Sequence, residues 1–197
     1  MLRHPEGLLP ALELKAGGWI LLVGPASLNT ALLQGLAHFA IPELQAHPGV
    51  RVLDGGNRFN AFTVARAARG RPEVLARISV ARAFTCFQVQ ALLESTPASA
   101  GPFVVLDLLR TFYDESVQAG ERKRLLRACV QQLERLEQAA GGLVSVHPPA
   151  LASPAALELL GMVQAAAAST FFLQASPGSA APPAQMSLWE QPGDKRG

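Results

Sequence analysis

The sequence predicts an α/β domain with a mostly parallel central sheet flanked by helices. Three observations carry that prediction. Apolar runs of strand length alternate with stretches of helical periodicity along nearly the whole chain. Most of those runs are apolar throughout, as strands covered on both faces are. The 197 residues are 49% hydrophobic and 16% charged, enough apolar material for one core and too little charge for a disordered chain.

The first 18 residues include LLPALELKAGG, a short helix or strand. Strand-like runs follow at 19–24 (WILLVG), 50–56 (VRVLDGG), 76–84 (ARISVARAF), 103–109 (FVVLDLL), 142–148 (GLVSVHP) and 170–174 (TFFLQ). A helical pattern runs from Asn29 until Pro42, and shorter helices are expected over 60–69 and 86–95. The clearest amphipathic helix covers 121–142 and is expected to end on Gly141 and Gly142. A last helix over 153–168 starts with Ser153 as cap and Pro154 in first position. Residues 1–175 are thus expected to form the core domain, and 176–197 a flexible Pro/Gly/Ser-rich tail.

The formal net charge is +2, so no global basic field exists and any nucleic-acid contact needs a local patch. Cys86 and Cys129 lack metal-ligand spacing and sit among apolar residues, which reads as buried free thiols. No apolar run reaches the ~20 residues that span a bilayer, and the N-terminus lacks a signal-peptide pattern. No membrane association and a cytoplasmic location are expected.

In parallel α/β sheets ligands gather at the carboxyl ends of the strands. Here those ends are Gly24, Asp54 to Asn57, Arg82 to Thr85, Asp107 to Arg110, and His147. The first, LVGPASLNTALL, has the outline of a phosphate-binding loop: a strand, a glycine, a short turn, a Thr and a helical run. Aligned on Thr30, the lysine position holds Asn29 and the preceding glycine position holds Leu28. Asn29 supplies no charge to a phosphate, and Leu28 puts a side chain where close approach needs none. The residues alone favour an ordinary strand–turn–helix, capped by Ser27 or Asn29. Asp107, ending FVVLD, has the look of a Walker B carboxylate and equally that of an Asp capping the turn after a buried strand.

Taken in order, VRVLDGGNRFNAFTVAR, ARISVARAFTCFQVQALLES, FVVLDLLRTFYDES, RKRLLRACVQQLERL and GLVSVHPP resemble the core of the RecA/RadA recombinase superfamily. The segment VARAFTCFQVQALLE (80–94) resembles the RadA-like branch most specifically. The resemblance spans about Trp19 to Gln174 and implies a RecA-like three-layer fold. It also implies a degenerate nucleotide site at Gly24, Ser27, Asn29, Thr30 and Asp107, of which only Thr30 and Asp107 match the family's machinery. The family's lysine falls on Asn29, and Gly55 and Gly56 lie in the region of its general-base Glu. A glycine cannot orient an attacking water.

What the resemblance implies is therefore a pseudo-ATPase, a non-catalytic accessory protein of DNA repair or recombination. It would act through a recombinase, polymerase or sliding clamp and through DNA, as a homo- or hetero-oligomer. No catalytic residue, no metal and no ATP/Mg²⁺ cofactor are expected. The competing reading is a divergent DNA-dependent ATPase that borrows a cation from a neighbouring subunit; for a general base, residues 54–60 offer it only Asp54. Candidate DNA contacts are Arg110, which follows the Walker B strand, and Arg122, Lys123 and Arg124 at the start of the long helix, a cluster that reads first as a solvated helix face. PPALASPA (148–155), where a second DNA loop would lie, is short and uncharged. Phe62 opens FTVA, similar to the F-x-x-A tether of recombinase filaments, but it lies in an expected helix and is read as core.

One island in the tail is not linker chemistry. Gln185, Met186, Ser187, Leu188 and Trp189 resemble the bacterial sliding-clamp-binding motif, with a Gln as polar anchor and a Leu plus an aromatic for an apolar pocket. A degenerate RecA-like domain with such a motif is similar to the accessory protein of bacterial translesion-mutagenesis cassettes. The double variant Leu188→Ala/Trp189→Ala is expected to melt like the wild type while losing clamp binding in a pull-down. A lowered melting temperature would instead place this island on the core.

Overall fold

A computed structural model of the chain describes residues 17–39, 49–98, 101–149 and 153–174. The clamp-like island and the tail lie outside the described residues. Six strands form one sheet: β1 Trp19–Val23, β2 Val50–Asp54, β3 Ile78–Arg82, β4 Phe103–Leu106, β5 Gly142–Val146 and β6 Ser169–Phe172. Every pairing is parallel, in the order β3-β2-β4-β5-β1-β6. The helices are α1 Ser27–Phe39, α2 Ala61–Ala68, α3 Pro72–Ala76, α4 Cys86–Ser95, α5 Ala119–Glu137 and α6 Pro154–Ala166, with a 3₁₀ turn at Arg110–Tyr113.

Strand periodicity sorts the core into two faces. Trp19, Leu21, Val23, Leu53, Phe103, Val105, Val144 and Val146 pack against α4, α5 and α6. The alternate residues Leu22, Val50, Val52, Val104, Leu106 and Leu143 pack against α1 and α2. The fold is the expected three-layer α/β arrangement of RecA-like domains. Cys86 and Cys129 are free and buried in the first face, and burial pushes the Cys129 thiol up to about 12.

Local chemistry explains most boundaries. Asn60, Thr85 and Ser153 each accept a backbone N–H at 3.2 Å from the residue three positions on, capping α2, α4 and α6. Three expectations need correction. Ala76, expected to open a strand, instead ends α3, whose Pro72 suits the first helical position, and β3 begins at Ile78. Neither Ser27 nor Asn29 caps α1; both lie inside its first turn. The long helix ends at Glu137, before the glycines.

Gly142 is instead the first residue of β5, paired in register with Phe103. A Cβ there would lie 2.0–2.5 Å from the Phe103 ring. Both residues are buried in a close-packed core, so the ring has no room to retreat. Gly142→Ala is therefore expected to lower stability by about 1–3 kcal/mol, read as a shift of the urea midpoint at constant slope.

Candidate functional site

The helices leave the sheet on opposite faces at three adjacent strand pairs, β2/β3 among them, and two of these pairs bear on the candidate residues. Adjacent strands β1 and β5 lead to α1 and α6, and adjacent strands β2 and β4 lead to α2 and α5, each pair to opposite faces. Crevices at the carboxyl ends of such strand pairs are the natural ligand positions of the fold. The candidate residues lie at both.

The β1/β5 crevice is closed. Only Gly24, Pro25 and Ala26 separate β1 from α1, so the helix begins inside the stretch that a phosphate loop keeps as loop. The N–H groups of Leu28 and Asn29 donate to the carbonyls of Pro25 and Ala26, at 2.9 and 3.2 Å. Gly24 is enclosed by Leu28 and Leu173; a Cβ added to it would meet both at 3.2–3.3 Å. Its carbonyl accepts from His147 Nδ1 at 3.0 Å. A carbonyl only accepts, so this contact places the ring proton on Nδ1.

Asn29 is buried, and its side chain turns inward to the sheet. Ser145 Oγ donates to Asn29 Oδ1 at 2.8 Å and accepts the Asp107 N–H at 2.9 Å. The residue at the lysine position thus serves as an internal hydrogen-bond acceptor. Thr30 is exposed and faces the groove between α1 and α2, so the structure does not bring it together with Asp107.

Asp107 sits at the β2/β4 crevice with no solvent exposure. Its Oδ2 accepts from Arg58 Nε at 2.9 Å and its Oδ1 from the His147 N–H at 3.1 Å. A Cβ on Gly56 would lie 2.6 Å from the Asp107 Cβ. The space beside Gly56 is therefore filled by Asp107 itself. Asp54 is equally buried and accepts from the N–H groups of Gly56, Arg58 and Phe59 and from Arg82 Nε at 2.8–3.3 Å. It is a structural acceptor whose oxygens are taken up by four donors. Both carboxylates are neutralised by guanidinium groups from the β2 and β3 ends.

Beside these pairs the crevice opens into a pocket of about 350 Å³ lined by Gly55, Asn57, Phe84, Arg110, Tyr113 and Asp114, among others. Arg110 is exposed here. Burial, helped by the Asp107 charge, pushes the Tyr113 hydroxyl above its ordinary range. The other candidate DNA contacts are engaged elsewhere. Arg122 is buried and donates to the Phe112 carbonyl at 3.2 Å. Lys123 pairs with Glu158 and Arg124 with Glu121, each at 2.6 Å.

Sequence reading missed Ser145 and the pairing roles of Arg58 and Arg82. A serine at an inward position of a buried strand must find a partner, which is the clue that it offers. Reading Phe62 as core is corrected: it is 73% exposed, because α2 turns Val64 and Ala68 to the sheet.

No family model matches the chain, and no curated protein matches it in sequence.

Arg58→Ala removes the partner of a carboxylate that stays buried. It is expected to cost about 1–3 kcal/mol of unfolding free energy, measured by urea titration. Arg124→Ala, which breaks an exposed pair, should leave the midpoint in place.

Proposed function

We propose that this chain is a non-catalytic RecA-like accessory protein of DNA repair or recombination, acting through protein partners and DNA. One observation carries the non-catalytic part of this reading. The two groups that nucleotide chemistry would use are both committed internally, Asn29 to Ser145 and Asp107 to Arg58. A Walker B carboxylate works by holding Mg²⁺; here a guanidinium occupies that role at 2.9 Å. A phosphate loop works through free N–H groups; here those of Leu28 and Asn29 are spent on the turn.

The DNA-repair part rests on the ordered resemblance to RecA/RadA recombinases, supported by the three-layer fold. Of the DNA-contact set, Arg110 remains available at an open strand-end pocket. The protein-partner part rests on Gln185 to Trp189 and its likeness to a clamp-binding segment.

Calorimetry with ATP and with ADP, each with Mg²⁺, tests the central claim. No heat of binding at millimolar nucleotide is expected, and no phosphate release with or without DNA. Saturable Mg²⁺-dependent binding that disappears in Asp107→Asn would support the divergent ATPase instead. Asparagine keeps the backbone conformation, at φ 52°, and removes the charge.

A further inference from the structure

We propose that the groove between α1 and α2 binds single-stranded nucleic acid, at a surface separate from the strand-end crevices. The groove, about 980 Å³, is lined by Thr30 and Gln34 of α1, Phe62 and Arg66 of α2, and Arg69 and Arg71 of the turn that follows. The inference rests on the charge and shape of this surface and is independent of the recombinase resemblance.

The charge is one-sided. From Gly55 to Arg82 the chain carries arginines at 58, 66, 69, 71, 77 and 82 and a single acid, Glu73. Arg58 and Arg82 are committed to Asp107 and Asp54, and Arg77 is engaged as well. The three that remain are exposed, and among the described residues none forms an ion pair. Among the described residues the Arg71 side chain reaches only the Ala68 carbonyl, at 3.4 Å. The backbone directs them together: Arg69 ends α2 in the left-handed region at φ 47°, and Gly70 at φ 78° turns the chain so that Arg71 lines the same groove.

Several guanidinium groups without a carboxylate make a track for a polyanion. Phe62, mostly exposed, adds an aromatic face beside that track. The combination suits a single strand, whose phosphates follow the cations while an unpaired base stacks on the ring. A duplex keeps its base faces internal. An acidic peptide would satisfy the arginines and leave the ring unused. Thr30 and Gln34 supply polar groups of the kind that position sugar and phosphate.

Fluorescence anisotropy of a labelled oligodeoxythymidine with the full chain tests this. Binding is expected with a log–log salt slope of about −2, three phosphates at about 0.7 each. Arg66→Glu/Arg69→Glu should weaken binding at least about tenfold and reduce the slope below about 1 in magnitude. Phe62→Ala should weaken binding several-fold with the slope unchanged. Arg127→Glu, the same charge reversal on the opposite helical layer, should change neither. Should the double reversal melt early, Arg66→Ala/Arg69→Ala is read in its place. The proposal is overturned if the wild type fails to bind at about 50 mM salt, or if the arginine variants bind equally. It is also overturned if a polyglutamate peptide displaces the oligonucleotide more readily than unlabelled strand does, which would assign the groove to an acidic protein. Loss in Arg110→Glu alone would overturn the groove and leave the accessory-protein reading standing.

Discussion

A carboxylate without access to water has to receive its hydrogen bonds from the protein, and Asp107 is the group around which the site end of this sheet is organised. An isolated charge buried in this way is too costly for a domain of ordinary stability. Arg58 arrives from the β2 end, the His147 N–H from the β5 end, and the Ser145 hydroxyl holds the Asp107 N–H. Through Ser145 the chain of bonds continues to Asn29, and through His147 to the Gly24 carbonyl. One side chain therefore ties together the ends of β1, β2, β4 and β5. The demands on its neighbours follow: Gly56 must lack a side chain, and Asp107 itself must accept a positive φ.

Much of the fold was legible because periodicity reports burial. The runs around Trp19, Val50, Phe103 and Gly142 read as strands because both faces of each are covered, and the capped start at Ser153 marked a helix correctly. Less was legible where a residue's partner lies far along the chain. Asn29 and Ser145 are 116 residues apart, so nothing near either one announces the bond. Gly142 carries the composition of a helix terminator, and only the register against Phe103 shows why a side chain is excluded. Phe62 has a core residue's chemistry and a surface residue's position, since a helix of eight residues has room to bury only one stripe.

The two strand-end crevices have diverged in use. At β1/β5 the space is taken by Leu28, Leu173 and the His147 contact, and the polar groups are satisfied internally. At β2/β4 the ion pairs form a floor, and the space beyond Gly55 and Asn57 stays open to Arg110 and Phe84. The strand-end position at β1/β5 is thus given over to packing. The exposed cations and rings lie farther out, on the rim and on the helical layer.

The three-residue turn after β1 sets a direction for redesign. Nucleotide binding could not be installed here by exchanging Asn29 for lysine, because an ammonium would enter the buried space beside Ser145 while the surrounding amides stayed occupied. Backbone would have to be inserted first, to lift the start of α1 away from Pro25 and Ala26 and to displace Leu28. Side-chain chemistry becomes useful only after that change in length. The barrier between this turn and a phosphate loop is a matter of geometry before it is one of charge.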